Sequence, residues 1–284
     1  MDRTGAIPAF WRRYRRNRAA VTGLTIILLV VALAALAPSL VAFGPWEIAG
    51  PPFLWPGEDS VHRLGTDVLG RDILSGLLHG ARVSLLIGIS ATLAAVFVGT
   101  AIGAFAGYFG GIIDDILMRL TEVFQTVPPF LFAVVILAAF KPSIGTIIAA
   151  ISVVSWPAVA RLVRGEAMRL RNAEFVQSCI GIGMSDLRII VTQILPNCLA
   201  PIVVTGSLMV ATAILTEAGL AFLTLSDPNV MSWGTMISIG REALRSSWYM
   251  VALPGTAIML TVLAINLAGD GLNDALNPRL RQSA

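Results

Sequence analysis

Marking every Asp, Glu, Lys and Arg along the 284 residues leaves six charge-free windows of 18 or more residues, at 19–46, 83–113, 123–140, 142–160, 189–216 and 246–269. About 20 apolar residues, rising about 1.5 Å each, cross a hydrocarbon core of about 30 Å, so each window can span a membrane once. Backbone groups in lipid must be bonded within one segment or around a closed barrel. Barrel strands alternate polar and apolar residues, whereas LTIILLVVALAAL from Leu24 to Leu36 does not. The pattern therefore predicts an all-α integral membrane protein with about six transmembrane helices.

Composition agrees: 56% of residues are hydrophobic and 13% charged, against roughly 25% charged in a soluble domain. Packing six charge-free spans inside a soluble protein would need polar cover that this chain lacks. With the N-terminus cytoplasmic, the inner segments hold 14 Lys plus Arg and the outer ones 6. That imbalance follows the positive-inside rule, so both termini are predicted inside. The opening WRRYRRNR and apolar run could be read as a secretory signal, but the window that follows has 28 residues, against roughly 7 to 15 for a cleaved apolar region. It is read as a first span with a basic juxtamembrane tail, which leaves no need for nucleic acid as a partner.

The predicted organisation is a basic tail at 1–18, a transmembrane domain at 19–272 and a second tail at 273–284. An outer segment at 44–82 contains Trp46 and Trp55, suited to a membrane interface, and KPSIG at 141–145 makes a tight hairpin between the third and fourth spans. In the inner segment at 161–198 the pattern turns amphipathic. Val176, Cys179 and Ile180 fall at helical spacing, Gly181 and Gly183 break the helix, and Ser185 can cap a second one with Leu187, Ile190, Val191, Ile194 and Leu195 on one face. Pro196 is expected to end it. On pattern alone this is a helix–glycine turn–helix lying against the membrane.

Resident chemistry is sparse. The only lysine, Lys141, lies between Phe140 and Pro142, so the chain carries no phosphate-binding Gly-Lys-Ser/Thr loop. Cys179 and Cys198 lack metal-ligand spacing, and His62 and His79 are isolated. No cofactor or metal is expected in this chain. Glu217 interrupts the fifth apolar stretch and Asp270 follows the sixth. Proton carriers place acids in such positions, but without a matching cation or a second acid for a relay, structural or gating roles fit better.

The segment from Trp156, WPAVARLVRGEAMRLRNAEFVQSCIGIGMSDLRIIVTQILPN, resembles the permease loop of bacterial ABC importers of the dipeptide, oligopeptide and nickel group. RLGTDVLGRDILSGLLHGARVSL (63–85), FWRRYRRNR (10–18) and GDGLNDALNPRLR (269–281) resemble that group in the right order across nearly the whole chain. Gly183 and Leu195-Pro196 match the importer-loop pattern. Gln177, Ser178 and Cys179 stand where the family has Glu-Ala-Ala, and Gln193 where it has Ile. Gly76 replaces a frequent Arg, and Asn277 a frequent Asp.

The resemblance implies the C-type permease of a pair, with the type I importer fold, in the bacterial plasma (inner) membrane. Its partners would be a second, homologous permease, two ATPases holding ATP and Mg, and an extracytoplasmic substrate-binding protein, with membrane lipid around it. The ATPases would dock on a loop built from Glu174, Gln177, Ser178, Cys179, Gly183, Ser185, Leu195 and Pro196. Gly65, Asp67, Gly70, Arg71, Asp72 and Arg82 would gate from the outer segment. Peptides are the expected cargo, with nickel complexes, glutathione or another small solute as the alternative. A self-sufficient secondary carrier would show charged or unwound central sites, and a membrane enzyme a cluster of reactive groups at one depth. Neither is evident.

Overall fold

The computed structural model describes residues 6–276; Asn277 and the rest of 277–284 lie outside the described residues. The chain folds into α1 (Ala6–Tyr14), α2 (Arg18–Leu40), α3 (Ile73–Phe109), α4 (Gly111–Gln125), α5 (Pro129–Ala139), α6 (Ile144–Arg171), α7 (Glu174–Gly181), α8 (Asp186–Ile189), α9 (Leu195–Phe222), α10 (Trp233–Gly240) and α11 (Tyr249–Leu276). Among the described residues there are no strands beyond two isolated bridges, Ile48 with Arg71 and Thr66 with Asp72.

Five helical stretches are long and apolar enough to cross a membrane: α2, α3, α6, α8 through α9, and α11. The third charge-free window takes a different form. It covers only the last turn of α4 together with α5, and these two helices meet at 78°. Pro128 and Pro129 explain the break, since neither has an N–H to give and each restricts the residue before it. Counted as one broken span, the pair brings the crossings to six.

The second span starts ten residues before its window, because Asp72 caps α3 by accepting from the Ser75 amide at 2.7 Å. Between α5 and α6, Ser143 and Thr146 form a reciprocal capping box. KPSIG is thus the predicted tight connection.

Small residues set the closest approach in the bundle. Gly99, Gly103 and Gly107 place one face of α3 directly on α6, where a Cβ at Gly99 would stand 2.6 Å from the Trp156 carbonyl oxygen and one at Gly107 2.5 Å from that of Arg164. This is small-xxx-small packing, which lets two backbones touch without help from water-driven burial. The register shows that α3 and α6 run parallel. In the same way, Gly23 lies on Ala264 and Ala268 while Gly271 lies on Ala20, so α2 and α11 run antiparallel.

The bundle has two different ends. One carries α1, the last turn of α11, α7 and α8. The other carries the irregular segment 41–72 and α10. Tyr108, Val163, Ile189, Ile190, Ile194 and Cys198 form the core of the first end, and Ile73, Trp233, Tyr249 and Met250 part of the core of the second.

Candidate functional site

The helix–turn–helix foreseen at 174–195 is present, with changed details. Helix α7 is anchored by Val176, which is fully buried, while Phe175 and Ile180 on its other faces are exposed. Gly183 makes the turn at φ +78°, in the left-handed region that favours glycine, and nothing lies within 4 Å of where its Cβ would be. The turn is fixed by its own backbone and surrounded by open space.

Two expectations are corrected. Ser185 occupies the N-cap position of α8, but its side chain makes no capping bond. Pro196 does not end the second helix: after α8 the chain passes through a π-helical turn, Ile190–Ile194, and continues into α9, with the proline in its first turn. Proline has no N–H to give, and the wider π turn immediately before it lets the helical path continue past the missing bond. Of the expected apolar face, Ile190 and Ile194 are buried but Leu187 is 61% exposed and Val191 52%.

Gln177 donates from Nε2 to the carbonyl oxygen of Arg171 at 2.8 Å, which a glutamate could not do. Ser178 Oγ donates to the Glu174 carbonyl oxygen at 2.9 Å. Sequence reasoning missed the strongest tie of this loop to the bundle: Tyr108 Oη, at the end of α3, donates to Asp186 Oδ1 at 2.6 Å.

At the opposite end, five of the six outer-segment candidates belong to one turn assembly. Gly65 and Gly70 have φ of +80° and +82°. Asp67 Oδ1 accepts from the amides of Leu69 and Arg71 at 2.8 and 2.9 Å, and the Arg71 guanidinium sits 4.6 Å from the centre of the Trp46 ring. Asp72, besides capping α3, lies 3.2 Å from Nδ1 of the buried His62, so that histidine is not isolated. Arg82 stands apart, a quarter of the way along α3, donating to the Ala35 carbonyl oxygen of α2.

A broken span, an exposed helical turn between two long helices and a capped outer segment form an arrangement with relatives. Residues 99–282 match the family described as binding-protein-dependent transport system inner membrane component. The chain belongs to this family. It is an inner-membrane permease of an ABC importer, within the dipeptide and oligopeptide group, and residues 9–56 match the N-terminal transmembrane domain of oligopeptide transport permease C.

This permease is 40% identical over 281 residues to the di/tripeptide transport system permease protein DppC of Pseudomonas aeruginosa, covering 97% of this chain and 93% of the relative. It is 38% identical to the dipeptide transport system permease protein DppC of Haemophilus influenzae, over 96% of this chain and 95% of the relative. It is also 38% identical to the glutathione transport system permease protein GsiD of Pectobacterium atrosepticum, over 96% and 91%. Among solved structures, the inward-facing MetNI methionine ABC transporter shares the fold at TM-score 0.58 and 15% identity, over 71% of this chain and 96% of that one.

The two acids of the permease sit in contrasting places. Glu217 is buried on α9, five residues before its end, and its Oε1 accepts from Ser232 Oγ at 2.6 Å while Oε2 has no partner. Asp270 is exposed on α11. They share no site. Cys179 and Cys198 are both free, and no group of three metal-ligating side chains occurs among the described residues.

Proposed function

We propose that this permease forms half of a peptide translocation pathway, alternating between inward- and outward-facing states as two partner ATPases bind and hydrolyse ATP with Mg. A second, homologous permease supplies the other half, and an extracytoplasmic binding protein delivers the cargo. The end carrying α1, α7, α8 and the last turn of α11 is cytoplasmic, in keeping with the arginine imbalance.

The observation that carries this reading is the uncovered tip of the helix–turn–helix. Ile182 is 79% exposed, beside exposed Ile180 and Leu187, while Val176, Ile189, Ile190 and Ile194 root the same element in the core. Arg169, Arg171 and Arg188 flank it, so it stands in water rather than lipid. A rooted element with an apolar tip in water fits a protein partner. Inverting a 1:99 equilibrium takes about 5.5 kcal/mol of differential binding, and a few interface anchors of about 2 kcal/mol each can transmit it. Gly183 provides the turn; Glu174, Gln177, Ser178 and Cys179 line α7, and Leu195-Pro196 joins the loop to α9.

Peptides are the cargo favoured by the names of the dipeptide relatives; glutathione, on the glutathione relative, or a nickel complex is the runner-up. Purification of the tagged chain from its native membrane tests the assembly, and stoichiometric ATPases are expected. The full complex in proteoliposomes with its binding protein is expected to take up labelled Ala-Ala in preference to glutathione. Uptake by the chain alone would overturn the reading.

A further inference from the structure

Helix α4 has two unlike sides. Ile113, Ile116 and Leu117 turn with Phe105 and Phe109 of α3 into a wholly apolar groove. Asp115, Arg119 and Glu122, at i, i+4 and i+7, turn the other way, toward Arg161 and Arg164 of α6. Between them is a cavity of about 390 Å³, with Met118 also in its wall. That volume is within the range of small-solute sites.

The charges around it are distributed unevenly. Arg164 is committed, its Nε and Nη2 donating to both oxygens of Asp114 at 2.5 and 2.6 Å. That pair bolts α4 to α6 and fixes the cavity wall. Asp115 and Arg119 are four residues apart, and Arg119 and Glu122 three, spacings at which opposite charges ordinarily pair on a helix. They do not. Among the described residues, ion pairs join His62 to Asp72, Arg71 to Asp67, Arg164 to Asp114 and Arg169 to Glu166. Two cations, Arg119 and Arg161, and two carboxylates, Asp115 and Glu122, all four exposed, therefore line one open groove with neither sign paired within it.

We infer that this cavity is a transit site for a zwitterionic solute, with Arg119 and Arg161 receiving its carboxylate and Asp115 and Glu122 its ammonium. The inference rests on the peptide reading above: a short peptide with free ends carries both charges at neutral pH, its amine titrating near 8 and its carboxyl near 3.5. A planar guanidinium suits the carboxylate. A site on the inner half of the pathway would hold the solute after release from the binding protein.

The test uses the complete importer in nanodiscs of phosphatidylglycerol alone, so that no zwitterionic headgroup competes, with Met118→Cys as reporter and its labelling read by peptide mass, so that Cys179 of the docking loop stays in place. Labelling of the reporter by methyl methanethiosulfonate is followed with Ala-Ala or with its N-acetylated, C-amidated form. Saturating Ala-Ala should slow labelling about tenfold, the fraction left open by a site nine-tenths filled, while the blocked peptide should not. Arg161→Gln with Glu122→Gln should abolish the protection and depress uptake, leaving Ala-Ala affinity of the binding protein unchanged. Equal protection by both peptides, or none by either while unmodified proteoliposomes import Ala-Ala, overturns the site. Loss of the second permease from the Arg161→Gln, Glu122→Gln complex also overturns it, by showing the charges to be an interface. Failure of unmodified proteoliposomes to import Ala-Ala overturns the peptide reading itself.

Discussion

The hydroxyl of Tyr108 and the carboxylate of Asp186 meet at 2.6 Å, joining the last turn of α3 to the first residue of α8 across 78 positions of sequence. Because α3 is the helix on which α6 and α9 pack, this bond gives the exposed turn at Gly183 a direct connection to the middle of the bundle. Movement of the turn need not pass through the backbone alone.

Tyr108→Phe removes the bond while keeping the ring among Val163, Ile189 and Ile190. Stability in detergent should fall by about 1.5 to 3 kcal/mol, the range for a hydrogen bond to a charged group. ATPases should still co-purify, but ATP hydrolysis stimulated by the loaded binding protein should drop. Asp186→Ala, which takes away the acceptor, should behave alike, and the double variant no worse than either single one, as expected for a shared interaction.

Gly183→Trp tests the turn itself. Nothing obstructs a side chain there, so the damage comes from the φ of +78° and from whatever covers the turn. ATPase co-purification should be lost, with the chain still extracting as a monodisperse protein. Retention of both ATPase assembly and substrate-stimulated hydrolysis would remove the coupling role assigned to this loop.

The glycine stripe on α3 can be tested by comparison. Gly103→Leu forces a side chain into the Ala160 and Arg164 backbone of α6, and Gly206→Ala meets only Val96 at 3.7 Å. Overpacking costs about 1 to 3 kcal/mol where neighbours can shift, and backbone cannot. Gly103→Leu should abolish monodisperse extraction in size-exclusion chromatography, whereas Gly206→Ala should be close to neutral.

Much of the architecture could be read from charge spacing, because lipid leaves a helix with few choices. Windows 19–46, 83–113, 142–160, 189–216 and 246–269 each fall largely within a long helix. The third window was the least legible, since charge counting registers what is apolar but not that Pro128-Pro129 breaks the backbone. Pro196 misled for the opposite reason: a proline signals an end unless the backbone around it adjusts, and here the π turn Ile190–Ile194 carries the helix through. The Gly99, Gly103, Gly107 spacing stands in the sequence but was not read as a packing face, because small residues alone do not say which helix they meet. The Tyr108–Asp186 and His62–Asp72 pairs were not legible either, because neither residue of a pair marks its partner before the fold brings them together.

Glu217 decides between two ways of driving transport. A proton carrier needs an acid that exchanges its proton with both sides, usually through a second titratable group or water path. Here Oε1 is occupied by Ser232 Oγ at 2.6 Å, Ser232 also receives the Thr235 amide at 3.0 Å, and a Cβ at Gly234 would come 3.1 Å from the same carboxyl oxygen. The side chain thus fastens the end of α9 to the start of α10. Among the described residues no cation pairs with it and no second acid shares its hydrogen bonds. Glu217→Gln keeps the size and an acceptor oxygen, so ATP-driven uptake by the full importer should stay within about twofold of the unmodified rate and be insensitive to a protonophore. Glu217→Ala takes the carboxylate acceptor from the Ser232 hydroxyl, which keeps only Thr235 as partner, and opens a cavity beside α10, so it should lower thermal stability in detergent. Uptake that fails in a stably folded Glu217→Gln importer with its ATPases still bound, or that collapses with protonophore while ATP is present, would transfer the driving force from the ATPases to the proton gradient.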